Sequence, residues 1–153
     1  MIVEKILKAS DLAYLAGLID GEGSITLTRR LLKGNHPMPN YLLSVSVNMT
    51  NREPVEFMSR YYRGSLSNNR KTVTGKAIYM FRTSTLESQR MLSDISPFLK
   101  CKHRQARWAL AFRKLPQAWG HPTHDEMGAM IRQRDNYVSL MHRLNAYSCS
   151  IQT

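Results

Sequence analysis

Acidic residues are scarce in this chain. Against 22 Lys and Arg there are 11 Asp and Glu, giving a formal net charge of +11 and a pI near 10.1 in 153 residues. That balance favours a polyanion held by counterion release. Ribosomal proteins and membrane-surface binders share a high pI, so charge alone names no partner. There are only two cysteines, Cys101 and Cys149, too far apart in sequence for a disulfide framework, and a reducing compartment is expected. Cys101 and His103 with His121 and His124 form no Cys-x₂₋₄-Cys or compact His pairing, so a closed zinc site is not expected. No apolar run reaches bilayer-spanning length. The longest near the N-terminus runs directly into Asp20 and Glu22, and no signal-peptide pattern precedes it, so no membrane partner is expected. Linkers, low-complexity stretches and internal repeats are also missing. The length fits one domain over 1–153, and 42% hydrophobic residues suffice for a core.

What is present is concentrated in Leu15-Ala-Gly-Leu-Ile-Asp-Gly-Glu-Gly23. Ser10 is the predicted N-cap of a helix with Asp11 in its first turn, and Leu12, Leu15, Leu18 and Ile19 fall on a core-facing side. Ala13, Gly17 and Gly21 recur at i, i+4, i+8 and leave a stripe with almost no side chain. A glycine inside a helix costs about 1 kcal/mol relative to alanine. Two of them imply close approach of another backbone, and a second copy of the same helix would fit. The plainer reading is a buried helix packed on its own sheet, with Gly21 as C-cap. Asp20 and Glu22 at the helix end tip the balance, because on a basic protein they suggest a metal held against a polyanion.

Downstream, residues 24–30 and 41–49 alternate with period two. Ile25, Leu27, Leu43, Val45, Val47 and Met49 oppose mostly polar positions. Thr50-Asn-Arg-Glu53 reads as a capping box opening a helix to about Tyr62, and strands follow at 65–71 and 77–83 around Gly75. Ser84-Thr-Leu-Glu87 heads a helix to about Ile95, and Ser96-Pro97 restarts one to about Lys114. Trp108 and Phe112 on it read as core. Thr123-His-Asp-Glu126 caps a last amphipathic helix whose apolar side carries Met127, Met130, Ile131, Val138 and Met141. The predicted class is α+β, with elements in the order α-β-β-α-β-β-α-α-α. Its four-stranded antiparallel sheet has helices on one face and a polar, basic face open to nucleic acid.

The stretch LAGLIDGEG, followed by Ser24-Ile25, resembles the motif that names the LAGLIDADG homing endonucleases, with Gly21 for alanine and Glu22 for the last aspartate. Ser96-Pro-Phe-Leu-Lys-Cys-Lys-His-Arg-Gln-Ala106 resembles a second family stretch, and the element order agrees with the family's αββαββα core over about 11–114, leaving a helical extension over 115–147. The resemblance implies site-specific cleavage of double-stranded DNA by metal-dependent phosphodiester hydrolysis at a long, near-palindromic site. A single motif implies a homodimer meeting at Ala13, Gly17 and Gly21. It makes Glu22 and the Gly21 carbonyl the metal ligands, for Mg²⁺ or another divalent cation such as Mn²⁺ or Ca²⁺. It makes Glu22, Lys102 and Asn51 catalytic, with Asn51 ordering water, and Asp20 structural. Base contacts would come from Ser24, Thr26, Thr28, Arg30, Ser44, Ser46, Asn48, Ser67, Asn69 and Lys71, with Tyr79 on the fourth strand. Lys100, Arg104 and Arg107 are either phosphate contacts or a solvated helix face. The expected setting is an organelle (chloroplast or mitochondrion) or a prokaryotic cytoplasm. Two alternatives share the fold: an intron maturase that takes RNA, and a non-catalytic DNA-binding regulator.

Overall fold

The two alternating segments become the first two strands of one sheet. A computed structural model describes residues 7–34, 36–116 and 122–146. Its elements are α1 (Ala9–Glu22), β1 (Gly23–Arg30), β2 (Asn40–Met49), α2 (Arg52–Ser59), β3 (Gly64–Lys71), β4 (Ala77–Thr83), α3 (Thr85–Ile95), a 3₁₀ turn (Ser96–Phe98), α4 (His103–Arg113) and α5 (His124–Ala146). The sheet is antiparallel throughout, in the order β1-β2-β4-β3. Its inner face, with Ile25, Leu27, Leu43, Val45, Val47 and Phe81, is buried beneath helices that contribute Leu15, Ile19, Met58, Leu92, Ile95 and Phe112. None of the described helices covers the other face, as the alternation predicts. Among the described residues no helix is long and apolar enough to cross a membrane.

Several local expectations are corrected. Lys8, not Ser10, is the N-cap of α1, because the Asp11 carboxylate accepts the Lys8 N–H at 3.2 Å and fixes the start two residues earlier. The helix continues through Glu22, so Gly21 is internal and Gly23 is the C-cap. A Cβ on Gly23 would lie 2.6 Å from the Ile19 Cα, so the turn from helix into β1 needs glycine there. Asn51 rather than Thr50 caps α2, accepting the Glu53 N–H at 3.2 Å, and the helix stops at Ser59. Glu87 does not close a box with Ser84, because its carboxylate is taken by the Arg63 N–H at 3.0 Å. The helix expected from Ser96 begins only at His103, for a reason that lies at the end of α1. The box at Thr123 forms: the Glu126 carboxylate accepts the Thr123 N–H at 2.8 Å and the Thr123 hydroxyl accepts the Glu126 N–H at 3.3 Å. Hydrogen bonds from Thr123 hold the exposed Glu126 carboxyl below its ordinary range.

Helix α5 runs along the edge strand β1 and is tied to it by side chains. The Asn145 amide donates to the Ile25 carbonyl at 2.9 Å, the Tyr41 hydroxyl to Asp135 at 2.7 Å, and Arg29 pairs with Asp135 at 3.4 Å. An uncovered edge would expose such carbonyls to another chain. Only Met141 of the expected apolar residues is buried on α5; Met127, Met130, Ile131 and Val138 are half-buried. Phe112 is core, but Trp108 is 39% exposed and meets Tyr137 edge to face. Where β4 ends, the hydroxyls of Thr83 and Ser88 take over its role. They pair at 2.6 Å and serve the Val45 N–H, the Val45 carbonyl and the Leu43 carbonyl. His121, weighed for metal, lies outside the described residues, as does Cys149.

Candidate active site and nucleic-acid interface

A helix C-terminus is the negative end of a dipole and disfavours carboxylates. Helix α1 nonetheless closes on Asp20 and Glu22 and has no basic residue in its last turn. The two acids have different fates. Asp20 accepts the N–H of Lys100 at 2.7 Å and of Lys102 at 2.8 Å, so its carboxylate is committed within the fold. Those N–H groups belong to the stretch expected to be helical, so their commitment to Asp20 delays α4 until His103. Glu22 is exposed. Its side chain lines a pocket of about 300 Å³ together with Asn48, Met49, Thr50, Asn51, Thr72 and Ile78.

Lys102 is half-buried, and its ammonium donates to the carbonyls of Ile19 at 2.8 Å and Asp20 at 2.6 Å. The positive charge missing from the last turn of α1 is therefore supplied from eighty residues away. Asn51 joins Glu22 in the pocket, but its side-chain oxygen is occupied in capping α2, which leaves its amide nitrogen as the group able to hold water. Among the described residues no group of three His, Cys, Asp or Glu could by itself hold a metal ion. One carboxylate and a neighbouring carbonyl at an electronegative helix end are all oxygen donors. They suit Mg²⁺, which is commonly held by one or two carboxylates plus substrate phosphates. On that chemistry Glu22 and the Gly21 carbonyl fit a divalent cation.

The pocket opens onto the open face of the sheet, because Asn48 and Ile78 belong to both. Register assigns the rest of that face: Ser24 opposes Ser46, Thr26 opposes Ser44, Thr28 opposes Leu42 and Arg30 opposes Asn40. Across β2 and β4, Asn48 opposes Met80 and Ser46 opposes Arg82; across β3, Ser65 opposes Arg82 and Ser67 opposes Met80. The Thr26 hydroxyl donates to the Ser44 carbonyl and the Ser44 hydroxyl to the Thr83 carbonyl, both at 3.3 Å. Their hydrogens are committed, so both hydroxyls present oxygen as an acceptor, the partner for an adenine or cytosine amino group. A groove of about 610 Å³ passes Thr26, Thr28, Arg30, Ser44 and Arg82. None of the four strands contains Asp or Glu.

Three expected contacts move. Tyr79 pairs with Met49 and packs on the core, because Phe81 fixes the parity of β4 and puts Tyr79 on the helix side. Between Ser67 and Arg70, β3 gains a residue relative to β4, and this bulge flips the faces beyond it. Arg70 opposes Ile78 on the open face, Lys71 opposes Ala77 on the other, and Asn69 sits in the bulge itself. Ser46 lies on the open face but is buried, a short side chain on a central strand between Ser24 and Arg82. Arg82 and Arg70 are the residues the sequence reading missed. Extending period two outward from Phe81 would have found Arg82; nothing in the sequence signals the bulge.

No protein-family model and no curated protein matches the chain by sequence. Solved structures do match. The homing endonuclease I-CvuI, in complex with target DNA, superposes with a TM-score of 0.70 at 19% identity, covering 94% of this chain and 86% of that one. The archaeal intron-encoded homing endonuclease I-Vdi141I, complexed with DNA, gives 0.56 at 11% identity over 90% and 98%. The LAGLIDADG meganuclease I-AabMI, bound to uncleaved DNA, gives 0.55 at 17% identity over 85% of this chain and 42% of that one. At these identities the likeness is one of fold: this chain has the fold of the LAGLIDADG homing endonucleases.

Proposed function

We propose that the chain is a homing endonuclease of the LAGLIDADG type. As a homodimer, it would hydrolyse both strands of double-stranded DNA at a long, near-palindromic site with the help of a divalent metal. One observation carries this reading: the only exposed carboxylate at the end of α1, Glu22, opens directly onto a sheet face that holds arginines and hydroxyls but no acid. Structures with the same fold are described with target DNA, one of them in the presence of Mg and of Ca. A β-sheet ribbon fits the major groove, and Arg30, Arg70 and Arg82 are suited to phosphate or guanine.

In the chemical step a water oxygen attacks phosphorus, the bond to the 3′ oxygen breaks, and a 5′ phosphate and a 3′ hydroxyl result. Glu22 and the Gly21 carbonyl would hold Mg²⁺, which when bound supplies charge neutralisation at the phosphate and a more acidic water. Lys102 places a fixed cation beside the reacting phosphate, where it is worth most as negative charge develops. The Asn51 amide nitrogen is positioned to order water in the pocket. Thr26, Thr28, Ser44, Asn48 and Arg82 would read base edges, while other cations hold the backbone.

The test uses a plasmid carrying the uninterrupted DNA that flanks the reading frame, with and without Mg²⁺. Glu22→Gln, which removes the anionic ligand but keeps its shape, is expected to lower single-turnover cleavage by about 1,000-fold. Affinity measured in Ca²⁺ should change by less than about threefold, because binding comes mostly from phosphate contacts elsewhere. Near-normal cutting by Glu22→Gln would remove Glu22 from the site. Tight, Mg²⁺-independent binding without any cutting by the wild type would favour the regulator, and a preference for structured RNA the maturase.

A further inference from the structure

The end of α1 and the stretch before α4 are joined in both directions. The Asp20 side chain receives two backbone N–H groups, from Lys100 and Lys102, and the Lys102 side chain gives its ammonium to two backbone carbonyls, of Ile19 and Asp20. A lysine side chain has four rotatable bonds, and an ammonium is placed well only if the backbone beneath it is also fixed. Here that backbone is fixed by one carboxylate. Leu99 is extended and buried just before the clasp, and Lys102 is the N-cap of α4 just after it. No other side chain bonds the Lys100 or Lys102 N–H among the described residues.

We propose that Asp20 is a positioning residue acting through Lys102. Its carboxylate sets where the ammonium stands relative to Glu22, two residues further along α1. The catalytic consequence rests on the endonuclease reading; the placement of the ammonium does not. A purely structural Asp20 would lower stability without selecting the chemical step. A positioning Asp20 acts on that step and has nothing left to act on once Lys102 is gone.

Asp20→Asn preserves shape but withdraws one acceptor and the charge. Three measurements on the full-length protein decide the proposal. In the lysine ammonium NMR spectrum, Lys102 is expected to be protected from solvent exchange in the wild type and to join the exposed lysines in Asp20→Asn. Single-turnover cleavage in Mg²⁺ should fall about 100-fold, the scale of a misplaced catalytic group, with DNA affinity in Ca²⁺ within about threefold. Added to Lys102→Met, Asp20→Asn should cost less than about threefold more, because the two act as a unit. Should Asp20→Asn fail to fold, Lys100→Pro deletes one of the two donors next to an already extended Leu99 and should shift the same readings less far. An unchanged Lys102 ammonium signal, or losses that simply multiply in the double variant, would overturn the proposal. If the wild type cuts no DNA, the endonuclease reading fails, and the ammonium spectrum still decides the placement.

Discussion

At the scale of single residues, the open face is defined by commitments already made within the protein. Thr26 and Ser44 spend their hydrogens on sheet carbonyls, so they offer oxygen to a ligand. Arg82 differs: it is exposed at the middle of the face between Ser46 and Ser65, and none of the described residues pairs with its guanidinium. An unpaired guanidinium on an acid-free surface is available to bind guanine or phosphate with two parallel hydrogen bonds. Arg82→Ala is expected to weaken DNA binding by about 1–3 kcal/mol. If Arg82 reads a base, the loss should be confined to one position of the site. If it grips phosphate, the loss should be uniform across sequences and the salt slope should fall by about one. Titrations at several salt concentrations, against a site and its single-base variants, separate these. A wild-type affinity in Arg82→Ala would take β4 out of the interface.

At the scale of elements, α5 shows how a helix outside the shared αββαββα core is held. One of its ties to the sheet runs through Tyr41, a core residue whose hydroxyl donates to Asp135 while Arg29 approaches the same carboxylate. Burial, then the Asp135 hydrogen bond and charge, push the Tyr41 hydroxyl up to about 12 from an ordinary 10. A group raised on folding adds stability below its unfolded value and loses it as pH rises to its folded value. The Tyr41 contribution is therefore complete below pH 10 and gone by about pH 12. Tyr62, buried against Asp94, shifts in the same direction. Tyr41→Phe is expected to cost about 1.5 kcal/mol at neutral pH and to flatten part of the fall in Tm above pH 10. Superimposable alkaline profiles for the two proteins would show that the Tyr41–Asp135 bond does not hold α5.

The element boundaries also show what the sequence could reveal. Strands β1 and β2 were legible because apolar and polar residues alternate along them. Residues 77–80 of β4 are all half-buried, so its position was legible but its facing was not. The α1 motif was legible because two acids after an apolar helix conflict with the helix dipole unless something answers them. What answers them, Lys102, lies eighty residues away, so neither its bonds to α1 nor the delayed start of α4 could be read locally. The β3 bulge was hidden for another reason: the one apolar residue of 64–71, Leu66, lies before it and is exposed, and the residues beyond are all polar, so nothing marks which face is which.

At the scale of the whole molecule, the proposed cutting of two strands would need two copies of Glu22, and one protomer brings one. An isologous dimer would supply the second by symmetry. Its natural contact is the face of α1 where Ala13, Tyr14, Gly17 and Gly21 are exposed, and where a Cβ added to Gly17 or Gly21 would meet nothing within 4 Å. Within one protomer those glycines thus serve no packing purpose, yet each costs the helix about 1 kcal/mol relative to alanine. That cost makes opposite predictions for the two assemblies. In an isolated protomer, Gly17→Ala should stabilise the fold by up to about 1 kcal/mol, since nothing obstructs the new methyl. In a dimer joined backbone to backbone at this stripe, the same methyl separates the helices, and Gly17→Leu separates them further. The wild type is expected to sediment as a dimer at micromolar concentration and Gly17→Leu as a folded monomer. The thermal stability of that monomer should be independent of concentration, whereas the wild-type Tm should rise with concentration. A wild type that sediments as a monomer, and remains one on its DNA, would leave Gly17 and Gly21 without a role and the second strand without a nuclease.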